Sequence, residues 1–140
     1  MSRHTPTRSV PILTDNSLNR AFAVKYAIYS LFGLSGLITH IPSIAAVVGE
    51  VIATFLAGVV FISSALASVS AWHSVKGGAW VKRELYATIV LVSFVAVYNI
   101  TLIYLAAIGS TSRINLAIIA SALLVMPIWR IRYILKKSRP

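Results

Sequence analysis

The chain contains no cysteine and only three acidic side chains, Asp15, Glu50 and Glu84, in 140 residues. The first absence excludes disulfides, thiolate nucleophiles and cysteine-ligated metal or iron–sulfur centres. The second leaves almost no material for paired-carboxylate acid–base chemistry. Charged residues make up 11% of the chain, against roughly 25% in an average soluble domain. A Gly-rich phosphate loop and a Ser/His/Asp set are also missing. His4, His40 and His73 fall in a tail and in loops on opposite sides of the expected bundle, too dispersed to share a metal. The reading is a protein without enzymatic activity, metal or cofactor.

Hydrophobic residues supply 58% of the sequence, and the mean hydropathy is +0.84. A water-soluble fold of this size needs more polar surface, so an integral membrane protein is expected. Four apolar stretches cover residues 24–41, 44–72, 85–108 and 114–129. A hydrocarbon core of about 30 Å takes about 20 helical residues. The second and third stretches span unaided. The fourth lengthens through Ile131, Tyr133 and Ile134 if Arg130 and Arg132 snorkel to the headgroups. Barrel strands would need short segments of alternating polarity, and in lipid every backbone polar group must be paired, so helices remain. Pro42 forces a turn after the first helix, since it lacks an N–H and biases Ile41 away from helical geometry. Residues 73–84 connect the second and third helices, with Gly77-Gly78 as the flexible point. The expected organisation is a mobile cytoplasmic tail over 1–16, a four-helix membrane domain over 17–135 built of two helical hairpins, and a basic cytoplasmic C-terminal tail over 136–140. Ser43-Ile44-Ala45 has the small residues of a signal-peptidase site, but the basic region before the first apolar stretch is long for a signal peptide.

The net charge of +10 is explained by its placement. With the N-terminus inside, Arg3, Arg8, Arg20, Lys25, Lys76, Lys82, Arg83, Arg130, Arg132, Lys136, Lys137 and Arg139 all lie inside, and Arg113 alone lies outside. This positive-inside bias predicts four helices with both ends cytoplasmic. Trp72, Trp80 and Trp129 fall at the same inner interface. The basic residues at the C-terminal end, Arg130, Arg132, Lys136, Lys137 and Arg139, read as a membrane surface that meets anionic headgroups. They do not read as a nucleic-acid site.

Two intramembrane polar residues stand out. Glu50 lies near the outer end of the second helix, at a depth close to that of Asn99 and Arg113. It reads as a structural tether to one of these, as a proton or cation carrier, or as an exposed interfacial residue. Small residues recur at helical spacing: Gly33 and Gly36 on the first helix, and Gly49, Ala53 and Ala57 on the second. Such faces allow close helix approach, within one chain or between protomers of a homo-oligomer. Ser63, Ser64, Ser68 and Ser70 read as serines bonded to their own helix.

Val48-Gly49-Glu50-Val51-Ile52-Ala53-Thr54 resembles the segment around the membrane glutamate of the small multidrug resistance transporters, which implies a proton-coupled transporter using Glu50. In that family the glutamate lies on the first helix, however, and here it lies on the second. The whole organisation resembles phage holins, and the four-helix membrane proteins of phages of high-GC Gram-positive bacteria in particular. In those, a Trp- and Glu-bearing inner loop and a Pro-x-Trp-Arg-x-Arg ending recur. Here the counterparts are Trp80 with Glu84, and Pro127-Ile128-Trp129-Arg130-Ile131-Arg132. The resemblance implies a protein that oligomerises in the bacterial host's cytoplasmic membrane, permeabilises it for lysis, and works with an endolysin. A membrane scaffold or exclusion protein without catalytic activity is the further alternative.

Overall fold

Residues 16–39, 42–109 and 113–138 are described by the computed structural model. They form α1 (Asn16–Thr39), α2 (Pro42–Val48), α3 (Glu50–His73), α4 (Gly78–Ala107) and α5 (Arg113–Ser138), with a 3₁₀ turn at Ser74–Lys76. Four segments are long and apolar enough to cross a membrane: Asn16–Thr39, Glu50–Lys76, Gly78–Ala107 and Arg113–Lys137.

The helices are longer than the apolar stretches, and tertiary contacts account for the extra turns. α1 starts at Asn16 rather than at 24, because Asn19, Phe22 and Ala23 are buried in the bundle. Asn16, the last residue of the expected tail, is thus part of α1, and residues 1–15 lie outside the described residues. The connector expected over 73–84 shrinks to the 3₁₀ turn and Gly77, so Trp80, Lys82, Arg83 and Glu84 all ride on α4. α5 continues to Ser138, which makes Lys136 and Lys137 part of a helix rather than of a tail. The second stretch is broken in two. Gly49 adopts φ of 86°, a left-handed conformation that strains any residue with a Cβ, and it separates α2 from α3.

The spans pack in chain order, α1 on α3, α3 on α4 and α4 on α5. The tightest seam is α1–α3. A Cβ placed on Gly33 would lie 2.6 Å from the Phe61 backbone nitrogen and 2.8 Å from its Cα. The backbones are in contact there, as small faces permit in lipid. Gly36, Ala53 and Ala57 are buried on the same two helices. Gly49 departs from the expected packing face: it is exposed, and a Cβ there would meet nothing within 4 Å. Ser63 and Ser64 bond carbonyls of their own helix, as expected. Ser68 instead donates across the seam to the Ala23 carbonyl at 2.7 Å.

The fourth seam, between α1 and α5, is different. Among the described residues no Cα of α1 comes within 8 Å of a Cα of α5. Long side chains bridge the gap. Phe22 stacks on Trp129 at 6.0 Å between ring centroids, and the Tyr29 hydroxyl donates to the Leu123 carbonyl. The second contact follows from Pro127, which lies inside α5. Proline has no N–H to give to the carbonyl four residues earlier, and here that carbonyl belongs to Leu123. Tyr29 supplies the missing donor from a neighbouring helix, a common compensation for proline in membrane helices.

Candidate functional site

The strongest polar feature is a clasp at the end of the bundle where α1 begins and α5 finishes. This end carries Arg20, Lys76, Lys82, Arg83, Arg132, Lys136 and Lys137 and is called the basic end below. Arg130 of α5 donates from Nε to Glu84 Oε1 of α4 at 2.7 Å and from Nη2 to Glu84 Oε2 at 3.1 Å. Nη2 also donates to Asn19 Oδ1 of α1 at 2.7 Å. All three residues are buried, and both members of the ion pair have side chains 0% exposed. The guanidinium carbon lies 4.8 Å from the Phe22 ring centroid and 5.5 Å from that of Tyr133. A planar fork matched to a carboxylate is the geometry in which arginine tolerates burial, and the ring faces add cation–π attraction. One side chain thus joins three helices, two of which have no close backbone contact.

This corrects the placement of Arg130 on the membrane surface. Arg132, Lys136 and Lys137 are exposed as expected, and Arg139 lies outside the described residues. A signal for the clasp does exist in the sequence. The buried positions of α5 are Ala117, Ala120, Pro127, Arg130 and Ile134, spaced by three, four or their sum. On α4, Val81, Glu84, Thr88, Leu91 and Val95 do the same. Extending the core stripe of each helix through its charged end places Glu84 and Arg130 inside.

Glu50 does not join this site. It is an exposed residue in the first turn of α3, at the end of the bundle opposite the basic one. Neither proposed tether forms: Asn99 Nδ2 donates to Ser121 Oγ at 2.8 Å, and Ser121 passes the bond on to the Ala117 carbonyl. Asn99 therefore ties α4 to α5. His73 Nδ1 donates to the Val69 carbonyl at 2.9 Å, and its ring stacks on Trp80. His4 and His40 lie outside the described residues.

Towards the other end from the clasp, the α1–α5 gap widens into an apolar cavity of about 320 Å³. Ala57 and Val60 of α3 and Val95 of α4 form its buried floor. Its walls are Ile28 and Phe32 of α1 and Ile119 and Leu123 of α5, all exposed, so the cavity opens sideways between these two helices. Lys25 lines it at the end nearest the clasp.

No protein-family model, curated protein or solved structure matches the chain.

Proposed function

We propose that this chain is a holin-like phage protein of the bacterial host's cytoplasmic membrane, with both termini on the cytoplasmic side, that acts without catalysis by assembling in the bilayer and permeabilising it. The clasp is the observation that carries the reading. The holin-type resemblance concerns the whole organisation, and the two segments quoted for it, Trp80 to Glu84 and Pro127 to Arg132, are the ones joined by the Glu84–Arg130 pair. The basic end faces the cytoplasm in this orientation, in keeping with the positive-inside rule, and its exposed cations meet anionic headgroups there.

Large apolar side chains cover the outside of the bundle, among them Val51, Phe55, Ile62 and Leu66 on α3 and Ile118 and Val125 on α5. Phe22, Tyr26, Ala67 and Leu91 fill its centre near the clasp. A single copy offers no polar passage among its described residues, so permeability would arise between copies. Glu50 is exposed and does not line the cavity, which speaks against a transporter built on that residue.

One observation favours a second reading, a membrane scaffold that does not permeabilise. Gly33, Ala53 and Ala57 are consumed inside the bundle and are not available to join protomers. Induced expression separates the two. The holin-like protein depolarises the host membrane and admits an impermeant dye after a delay. Accumulation to high level in the membrane with the potential intact would discard it in favour of the scaffold.

A further inference from the structure

From the geometry of the α1–α5 cavity we infer that it is a binding site for an anionic phospholipid, which inserts one acyl chain between the two helices and sets its phosphate on Lys25. Three observations converge. First, the cavity is apolar and opens sideways, so its occupant enters from the bilayer and not from water. Its volume of about 320 Å³ is at the lower end of the range of small-molecule sites, roughly 300–1,000 Å³.

Second, its length along α1 matches one leaflet. The lining runs along α1 from Lys25 to Gly33, about 12 Å at 1.5 Å per residue. Half of a hydrocarbon core of about 30 Å is roughly 15 Å. The lining continues to Leu116 near the start of α5 and to Ile44 of α2, so a chain that starts near Lys25 fills the cavity by running away from the basic end towards the middle of the bundle.

Third, among the described residues no carboxylate pairs with the charge at its mouth. Lys25 is partly buried, and among the described residues the one ion pair is Glu84 with Arg130. The other described carboxylate, Glu50, starts α3. The Ser68–Ala23 bond places Lys25 near the level of residue 68, about 27 Å along the axis from Glu50. An ammonium on a flexible stem at the end of an apolar slot is complementary to a lipid phosphate, which it reaches by extending towards the interface. A zwitterionic headgroup offers the same phosphate but brings its own cation to the site. The site therefore selects headgroups with net negative charge.

The inference stands on the cavity and holds whether or not the protein permeabilises membranes. Its test is native mass spectrometry of the full chain in detergent, titrated with phosphatidylglycerol or with phosphatidylcholine of the same acyl chains. Wild type retains phosphatidylglycerol about fivefold better, the size of one lysine–anionic lipid contact. Lys25→Gln removes the preference and Lys25→Arg keeps it. Ile119→Trp, which narrows the mouth, lowers retention of both lipids. Arg20→Gln, which removes an exposed cation at the same end that does not line the cavity, leaves the preference at its wild-type value. Equal retention of both lipids by wild type, an undiminished preference in Lys25→Gln, or unchanged retention in Ile119→Trp would each overturn the site. A loss in Arg20→Gln as large as in Lys25→Gln would do so too, by reducing the effect to general attraction at a basic surface.

Discussion

Arg130 and Arg132 stand two places apart in one basic, aromatic segment, and only one of them is buried. Local composition cannot tell them apart, since each follows an apolar residue at the end of an apolar run. Helical phase can: residues two apart point about 200° away from each other at 3.6 residues per turn, and Arg130 shares its stripe with Pro127 and Ile134. The membrane cations and the serines bonded to their own helix were legible in residue type. The clasp needed the phase of three helices at once. Its energetic consequence is asymmetric. Arg130→Ala leaves Glu84 buried without its partner and destabilises the protein by about 3–5 kcal/mol, whereas replacing both members with apolar residues costs far less. Thermal denaturation in detergent of Arg130→Ala beside the double variant Glu84→Leu/Arg130→Met measures the difference, with the double variant the more stable. The Tyr29–Leu123 bond makes a second residue-scale prediction. Tyr29→Phe orphans the Leu123 carbonyl and costs about 0.6–1.7 kcal/mol, the range of hydrogen bonds between membrane helices. In a Pro127→Ala background the restored N–H of residue 127 satisfies that carbonyl, and Tyr29→Phe becomes nearly neutral. A double-mutant cycle reads this coupling directly; additive effects would show that Tyr29 does not stand in for the missing donor.

The four helices of membrane-spanning length were legible from apolar runs because lipid leaves the backbone few alternatives, but the break at Gly49 that splits off α2 was not. Helix ends were not, because residues 16–23 and 78–84 are too polar for a hydropathy threshold and are held by packing. The small-residue faces were visible as spacing, but spacing does not say which partner a face meets. Gly33 and Gly58 show the distinction within one helix pair. Gly33→Ala drives a methyl into the Phe61 backbone and costs about 1–3 kcal/mol, as overpacking of a tight contact does. At Gly58 the nearest atom to an added Cβ is Leu37 Cδ2 at 3.7 Å, an ordinary contact. Gly58→Ala therefore stabilises α3 by about 0.5–1 kcal/mol through its lower unfolded-state entropy. Unfolding midpoints of the two variants in one detergent should move in opposite directions. A fall in both would mean that the α1–α3 seam is equally tight along its length.

At the scale of the whole molecule, three seams are closed by backbone packing and the fourth is held by side chains alone. That fourth seam carries the Arg130 clasp at one end and the lateral cavity beyond it, so the most polar and the most open features of the bundle lie along the same pair of helices. Its existence was not legible in the sequence, because neither α1 nor α5 has a local signal for the neighbour it fails to meet. The orientation of this bundle underlies the proposed function, since it decides which leaflet the basic end and the cavity face. The absence of cysteine makes it directly measurable. Single cysteines at Ser43, at Lys76 and at Ser110 are exposed in intact cells to an impermeant thiol reagent, with lysed cells as the control for reactivity. The account predicts labelling of the cysteines at 43 and 110 in intact cells and of the one at 76 only after lysis. Labelling at 76 with protection at the other two would contradict it.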